Sequence, residues 1–519
     1  MCFNPHLRRL AGKELLHRIL FQPKPDNIDQ FLSALFLSPL RHIPGPLLAK
    51  ATGNWLLLVE LSGNRAKTVH KLHQNYGPVV QISPTEVSFN AVDAIDIIYG
   101  PHSNFPKAPW YKNMTRGGVF NTIDLAQHRQ RRKLLTHAFS PTSITDMEPI
   151  IHEQEQKLLR IIETRYRDGP LNVRHWFRML SFDISGAVFL GKAFGGLDSE
   201  KPPGYVEDLD SAFIVWDLQG RFPLLSRLAR LVPVTALHHF FTADDRIYQY
   251  GEDAFQDYLD RYGRTAQRKD ILTKLIQRAP GEKEGLTDAQ ISSEISNLTF
   301  AATDTLALVL TYLFWELAQQ PDLQALLREE LKDVPVKTGA GVPEHRDLVN
   351  LPILNAFIQE TMRKHPPVPM GLLRETPRGG KTIEGYFIPQ KVSLLQPFKY
   401  DFLNISLKTV VSVPSWTAHR NPRHFPDPEA FKPQRWLDVY GGTEEMKKLY
   451  MPFGKGARAC IGQAMGLLEL RLTTAALIKR YVVTLNQDLN LVDMDFVDHF
   501  IMIPKGEVCL LVFTPVNEA

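Results

Sequence analysis

The chain has 519 residues, of which 44% are hydrophobic and 22% charged, so its composition is that of a folded globular protein, neither disordered nor fibrous. With 60 Lys and Arg against 56 Asp and Glu, the formal net charge of +4 indicates no nucleic-acid-binding surface. The cysteines, Cys2, Cys460 and Cys509, are sparse and odd in number, which argues against a disulfide framework and favours a reducing compartment.

The N-terminal lead-in, residues 1–43, has mixed polarity and is followed by a rigid Pro-Gly-Pro hinge at residues 44–46. No run of about eighteen consecutive apolar residues, the length needed to span a bilayer, occurs in the sequence. The most apolar stretch of the lead-in, residues 28–40, is too short to span a membrane and is predicted to lie, at most, in a membrane interface. Residues 44–519 are predicted to form one folded body.

The first elements of that body are predicted from local periodicity. Residues 51–76 have a helical pattern, and residues 79–83 and 86–90 have the pattern of two strands joined by a tight turn. Loop-rich stretches are predicted at residues 195–203 and 281–286.

A basic amphipathic helix is predicted at residues 121–139. Within it His128 and Arg132 lie four positions apart, so one face of the helix offers two donors to an anion. Arg131 and Lys133 are expected to face solvent or a partner protein. The plainer interpretation of the whole segment is a solvated basic face.

A long apolar helix is predicted at residues 291–319, with Thr287 and Gln290 forming a capping box at its start. Asp304 and Thr305 stand side by side in its middle. An acid in an otherwise apolar helix is costly to bury, which favours a use for the pair. The plainer interpretation is that Thr305 bonds to the carbonyl one turn earlier and Asp304 pairs with a surface cation.

A further charged pair, Glu360 and Arg363, occupies one face of the next predicted helix, which ends at consecutive prolines. Such a pair is common on surface helices and is weak evidence alone. Arg435 follows downstream as a third candidate member of the group.

Residues 392–408 do not have the composition of a surface loop. They contain no glycine and several large apolar side chains: Leu394, Leu395, Phe398, Phe402 and Leu403. Joining Lys391 directly to Thr409 gives a clean entry into the predicted strand at residues 410–413. A valine codon begins GT and a lysine codon can end AG, so we hypothesise a retained in-frame intron. The alternative is a genuine insertion.

The most informative segment is residues 453–462, which read F-G-K-G-A-R-A-C-I-G. Its glycines let the backbone bend around the Cys460 sulfur so that amide groups point at it, and Arg458 is a nearby fixed cation. A thiolate is a strongly donating iron ligand. The complete pattern F-G-x-G-x-R-x-C-x-G resembles the haem-binding loop of the cytochrome P450 superfamily. The alternative interpretation of this segment is a lone buried cysteine beside a glycine turn.

That resemblance, closest to fungal microsomal members, implies a mainly α fold with a smaller β portion. It implies heme b as cofactor, with Cys460 as the axial iron ligand. The cofactor-binding residues implied are His128, Arg132, Arg374, Phe453, Arg458 and Cys460. The Glu360–Arg363 pair with Arg435 is implied to hold the cysteine loop.

The resemblance also assigns the acid–alcohol pair, Asp304 and Thr305, as catalytic residues that deliver protons to dioxygen. Two positions depart from the family pattern: Ala302 stands where glycine is frequent, and Leu306 where a second hydroxyl is frequent. The family builds its substrate pocket from three regions, represented here by Phe105, Trp110, Tyr111, Met114 and Phe120, by residues 368–372, and by Phe500, Ile501 and Met502.

The function implied is a monooxygenase that inserts one oxygen atom from dioxygen into a hydrophobic small molecule, in secondary metabolism. Electrons come from NADPH through NADPH-cytochrome P450 reductase, on the cytoplasmic face of the endoplasmic reticulum membrane. Three alternatives stay open: a haem-thiolate isomerase or rearrangement enzyme, a non-catalytic haem-binding protein, and the product of a pseudogene.

Overall fold

A computed structural model describes residues 34–516 except 168, 200, 202, 222, 233, 278–284, 337–340, 394–405, 438–441 and 507. Its helices are α1 Leu47–Ala51, α2 Asn54–Leu61, α3 Arg65–Tyr76, α4 Val92–Tyr99, α5 Trp110–Met114, α6 Gly118–Asn121, α7 Leu125–Thr136, α8 Pro141–Arg165, α9 Val173–Leu190, α10 Gly204–Arg221, α11 Pro223–Ala229, α12 Thr235–Phe241, α13 Ala243–Tyr262, α14 Ile271–Ile276, α15 Asp288–Ala318, α16 Pro321–Leu331, α17 His345–Leu348, α18 Pro352–Lys364, α19 Ser415–Ala418, α20 Glu444–Leu449 and α21 Gln463–Arg480.

The strands are β1 Val79–Ser83, β2 Glu86–Phe89, β3 Leu171–Asn172, β4 Arg374–Glu375, β5 Lys381–Ile383, β6 Tyr386–Ile388, β7 Lys391–Ser393, β8 Ser406–Lys408, β9 Val410–Ser412, β10 Tyr481–Leu485, β11 Phe496–His499, β12 Ile501–Pro504 and β13 Leu510–Pro515. The largest sheet has the order β1-β2-β9-β4, and a second sheet has the order β10-β13-β3. The prediction of a mainly α fold with a smaller β portion is confirmed.

Helix α15 runs through the main hydrophobic core, where it packs against α9, α13 and α21. Within the part of the chain that the structure describes, it is the one helix long and apolar enough to cross a membrane. Most of it is buried inside the fold, which is the situation of a core helix. The predicted capping box is present: Thr287 accepts from the Gln290 amide, and Gln290 accepts from the Thr287 amide.

Two predicted helices have different boundaries in the structure. Residues 51–76 form the end of α1, then α2 and α3, because the chain is extended at Thr52 and turns at Gly63. Gly63 has φ of +64°, and a Cβ placed on it would lie 2.8 Å from Cβ of Val497. Helix α7 begins at Leu125, because the Asp124 side chain accepts from the Gln127 amide and so caps it there.

The hairpin predicted at 79–90 is confirmed as β1 and β2, paired antiparallel. The ends of the unusual segment 392–408 also pair antiparallel, as β7 and β8, and the Thr409 amide donates to the Gln390 carbonyl at 2.9 Å. Residues 394–405 and residues 1–33, which include the first part of the predicted interface segment, lie outside the described residues.

Candidate functional site

The cysteine loop lies between α20 and α21. The Cys460 amide donates to the Phe453 carbonyl at 2.8 Å, and the Gly454 amide donates to the Met451 carbonyl at 3.0 Å, so the loop folds back on itself. Gly456 has φ of +65°, and a Cβ there would lie 2.1 Å from the Tyr99 carbonyl oxygen. Glycine is therefore required at position 456, because the backbone is left-handed there and lies in close contact with α4.

Cys460 is accessible, yet it is surrounded by protein, so it lies in an internal cleft. Burial raises the pKa of the Cys460 thiol, while the Gly462 amide and the Arg132 guanidinium act to lower it. On α15, Ala301 is accessible in the middle of a helix whose other faces are buried. A Cβ on Gly466 of α21 would lie 3.2 Å from Leu306 Cδ2, so the middle of α15 lies beside the helix that follows the cysteine loop.

The four basic residues predicted to bind cofactor carboxylates line one cavity of about 390 Å³: His128, Arg132, Arg374 and Arg458. Arg132 donates from Nη1 to the Ala459 carbonyl at 2.6 Å, which ties α7 to the cysteine loop. Arg458 donates to the carbonyls of Thr122 and Ile123, each at 2.6 Å. The predicted His128 and Arg132 face is thus turned inward.

These basic side chains are not paired with acids. None of the four forms an ion pair with a carboxylate among the residues that the structure describes. Burial and then Arg458 lower the pKa of His128 to about 3, and burial and then Arg374 lower the pKa of Arg458 to about 10. The Arg458 Nε is buried without a hydrogen-bond partner. Residues arranged in this way fit a ligand with two carboxylates, as the haem propionates are.

The acid–alcohol pair of α15 faces two directions. Thr305 Oγ1 donates to the Ala301 carbonyl at 2.7 Å, on the accessible side of the helix. Asp304 is buried and pairs with Arg178 of α9. Burial raises the pKa of Asp304, and the Arg178 guanidinium opposes that rise. The helix-carbonyl contact of the plainer interpretation is present, but the cation at Asp304 is buried and not on the surface.

The Glu360–Arg363 pair is fully buried and has two contacts of 2.8 Å. Arg435 joins it, donating from Nε to Glu360 Oε1 at 3.1 Å. Trp436 Nε1 donates to Glu360 Oε2 at 2.9 Å. The structure therefore brings together the three charged residues that the sequence analysis grouped, and Trp436 joins them as a fourth member.

His419 is a site residue that sequence reasoning missed. Its Nδ1–H donates to the Arg363 carbonyl at 3.2 Å, and its Nε2 accepts from the Met451 amide at 2.9 Å, which fixes one neutral tautomer. Burial and then Arg363 lower its pKa to about 3. His419 thus connects the charged group to the start of the cysteine loop. A histidine in an irregular segment gives no periodic signal that would have revealed it.

Some of the residues predicted to line the substrate pocket contact one another. Ring centroids of Trp110 and Phe500 lie 5.8 Å apart, as do those of Phe120 and Phe500, while Tyr111 lies 5.6 Å from Phe120. These four rings form an aromatic wall. Phe105 instead packs in the separate core around the large sheet.

Arg131 departs from its expected exposure. Its Nε donates to the buried Glu294 at 2.5 Å, whereas Lys133 is exposed as expected. The charge pattern of one helix does not show which of its cations will pair with a buried acid on another helix.

Comparisons with known proteins agree with this arrangement. A family model described as Cytochrome P450 matches residues 43–510. A cytochrome P450 monooxygenase of Aspergillus terreus, tazI, is 32% identical over 92% of this chain and 94% of its own length. Tryprostatin B 6-hydroxylase of Aspergillus fumigatus is 30% identical over 85% of this chain and 75% of its own length. The chain therefore belongs to the cytochrome P450 family, and these relatives are monooxygenases of that family.

Proposed function

We propose that the chain binds heme b through Cys460 and uses it to insert one atom of dioxygen into a hydrophobic small molecule. The observation that carries this proposal is the accessible Cys460 thiol in a loop whose Arg458 lines one cavity with His128, Arg132 and Arg374. When bound, a thiolate-ligated haem supplies the redox chemistry that splits dioxygen.

The residues that would hold the haem have separate tasks. Cys460 would supply the thiolate that binds the iron, and the Gly462 amide is directed at its sulfur. His128, Arg132, Arg374 and Arg458 supply donors for the carboxylates. Phe453 lies at the loop turn, where its carbonyl accepts from the Cys460 amide and holds the ligand in place.

Proton delivery is assigned to the pair on α15. Thr305 Oγ1 already donates to the Ala301 carbonyl, so its lone pairs are left to accept from a proton donor in the cleft. Asp304, one residue away, is proposed to relay protons from solvent, and its carboxylate accepts hydrogen bonds from Arg178. Leu306 offers no second hydroxyl to replace Thr305.

The substrate proposed is an apolar molecule with an aromatic part, because the aromatic wall of Trp110, Tyr111, Phe120 and Phe500 offers ring faces and edges. Secondary metabolism is proposed from the relatives, one of which is named as a tryprostatin B hydroxylase.

Electrons are proposed to come from NADPH through a flavoprotein reductase that docks beside the cysteine loop. Basic side chains gather on this face: Arg129 and Lys133 of α7 are exposed, and Lys447 and Lys448 of α20 are more than half exposed. The Lys455 ammonium donates to the Lys447 carbonyl at 3.0 Å and extends the patch. Such a patch suits an acidic partner.

Attachment to the cytoplasmic face of the endoplasmic reticulum membrane is proposed from exposed apolar side chains. Leu224, Leu228 and Leu231, on or after α11, are 69%, 53% and 76% exposed. Phe36 and Leu37 are 66% and 61% exposed, and they are the described end of the predicted interface segment. Apolar side chains in such number suit an interfacial contact with lipid.

One experiment tests the core of this proposal. The purified chain is reduced under carbon monoxide, and NADPH turnover is then measured with a reductase and a panel of aromatic substrates. A thiolate-type band with NADPH-dependent hydroxylated product is expected. The band without any product across the panel favours a haem-binding protein, and product without NADPH favours an isomerase. Absence of the band contradicts the proposal.

A further inference from the structure

Two lysines lie opposite each other where the unusual segment, residues 392–408, leaves the sheet and returns to it. Strands β7 and β8 pair antiparallel, with Lys391 directly opposite Lys408. Directly opposed residues of such a pair point to the same face of the sheet, with their Cβ atoms about 4.5–5.5 Å apart. The two side chains therefore start from neighbouring points on one face of the hairpin.

One of these lysines binds a buried acid. The Glu375 side chain of β4 is 6% exposed, and the Lys408 ammonium donates to its Oε2 at 2.7 Å. Among the described residues Glu375 has no other ion pair, and Lys391 has none. A buried carboxylate that loses its cation destabilises a fold strongly. Because Glu375 follows Arg374, the pair lies on the strand that reaches the cofactor cavity.

The start of β9 is held in place by contacts that lie outside the segment. The Thr409 amide donates to the Gln390 carbonyl at 2.9 Å, and the Thr409 carbonyl accepts from the Thr376 amide at 2.9 Å. Strand β9 then pairs with β2 on one side and β4 on the other. The register of β9 is therefore set by its neighbours in the sheet, without a contribution from residues 392–408.

The local geometry also allows Lys391 to be joined directly to Thr409. Gln390, Lys391 and Thr409 would then be consecutive, and the existing bond between the Gln390 carbonyl and the Thr409 amide would join residues i and i+2. That is the hydrogen bond of a γ-turn, a turn that is common at strand ends. Lys391 would then precede Thr409, as Lys408 does in the full chain, and its flexible four-carbon stem could reach the same acid.

We propose that the sheet closes without residues 392–408, and that Lys391 then replaces Lys408 as the partner of Glu375. The shortened chain is the one that removal of the hypothesised intron would give, and it keeps the fold and the cysteine loop. Among the side chains of the segment that the structure describes, Val392 alone is buried, in the core around the large sheet. The burial of Val392 is what the shortened chain gives up.

The test asks which lysine each form of the chain needs. The full chain and the chain lacking residues 392–408 are each prepared with Lys391→Met, and the full chain also with Lys408→Met. Every one of these is repeated in the presence of Glu375→Gln. Lys381→Met, which changes an exposed lysine of β5, is the control in both forms. Denaturant unfolding gives the folding equilibrium constant of each.

In the full chain, Lys408→Met should lower the folding equilibrium constant at least about tenfold, while Lys391→Met leaves it near wild type. In the shortened chain, Lys391→Met should cause that loss. Glu375→Gln should remove the effect of the lysine in both forms, and Lys381→Met should have none in either. Shortening by itself should cost no more than Val392→Ala costs in the full chain.

A shortened chain that does not fold overturns the proposal, and so does a folded one that is indifferent to Lys391→Met. A second measurement compares the haem per chain and the reduced carbon monoxide band of the two forms, which should be the same. A folded shortened chain that lacks the band shown by the full chain also contradicts the proposal. If neither form shows the band, the proposed function fails, while the unfolding data still decide whether Lys391 replaces Lys408.

Discussion

Arg178 binds both carboxylate oxygens of Asp304, with Nε 2.5 Å from Oδ1 and Nη2 3.1 Å from Oδ2. The same guanidinium donates from Nη1 to Asp210 Oδ2 at 3.0 Å. Arg178 lies on α9, Asp210 on α10 and Asp304 on α15, so one side chain joins three helices. This side chain therefore connects α10 to the carboxylate that is proposed to deliver protons.

Arg178→Gln is expected to lower the free energy of unfolding by about 3–5 kcal/mol, because it leaves the Asp304 carboxylate buried and unpaired. The double variant Arg178→Gln with Asp304→Asn is expected to recover much of that loss. Asp210→Asn is the matched control and should cost less than about 1 kcal/mol, since the Asp210 side chain is 57% exposed. Denaturant unfolding measures all three, and a double variant no more stable than Arg178→Gln would contradict the pairing.

Thr305→Ala is expected to leave haem content and substrate binding almost intact, since Thr305 contacts neither the cysteine loop nor the aromatic wall among its described hydrogen bonds. NADPH consumption should continue, while product per NADPH falls and hydrogen peroxide rises, because the proton donor is misplaced. Thr303→Ala is the control, since Thr303 makes the same bond to the carbonyl one turn earlier but is fully buried. If Thr305→Ala forms as much product per NADPH as the wild type, the role of Thr305 is limited to helix structure.

Cys460→Ser should abolish the thiolate-type carbon monoxide band and the activity, because a hydroxyl is a far weaker donor to iron. Cys509, which is buried in the core, provides the control, and Cys509→Ala should keep the band. A wild-type spectrum in Cys460→Ser would remove the central assignment.

Arg363→Ala is expected to prevent haem loading. Besides Glu360, Arg363 donates to the carbonyls of His419, Pro428 and Ala430, and His419 in turn holds Met451 at the start of the cysteine loop. The loss should be about 3–5 kcal/mol of stability. Haem per chain after purification is the measurement, with the exposed Arg423→Ala as control. A stable, fully loaded Arg363→Ala protein would show that the group does not support the loop.

A buried acid pair predicts how stability depends on pH. Burial raises the pKa of Glu155 to about 8 from 4.5, against a hydrogen bond from the Thr473 hydroxyl, and Glu469 faces it on α21. Between pH 4.5 and 8 the unfolded chain has released this proton and the folded chain keeps it, so stability falls as pH rises through that window. Below pH 4.5 the contribution of Glu155 to the free energy of unfolding is fully present.

Glu155→Gln should therefore flatten the fall in stability between pH 5 and pH 8, by an amount on the order of a few kcal/mol. Thermal unfolding across this range measures it. Glu153→Gln changes an exposed acid on the same helix and should leave the profile as in wild type. Equal slopes for wild type and Glu155→Gln would show that Glu155 is ionised in the folded chain.

The parts of the molecule that the sequence predicted are those with short-range signals. The glycine and cysteine spacing of residues 453–462 and the Thr287 capping box are local patterns, and both are found in the structure. The break at Gly63 was missed, because the close approach of Val497 comes from the distant C-terminal part of the chain.

The unpredicted site residues depend on contacts between distant segments. Arg131 is turned inward because the buried Glu294 of α15 accepts from its Nε. His419 has its role because Arg363 and Met451 lie on either side of it. Neither relationship leaves a periodic trace in the sequence, so a single sequence could not reveal them.

The hydrogen bond between Thr409 and Gln390 means that the chain returns to its starting point after segment 392–408. Whatever its origin in the gene, the segment is a detour from the sheet, in the sense that it leaves and returns at neighbouring positions. Its two ends are neighbours because Lys391 and Lys408 pair directly. The length of that detour is therefore uncoupled from the position of β9. A reporter peptide or an affinity handle grafted there would leave the sheet and the cysteine loop in register, which makes this the natural place to label the enzyme.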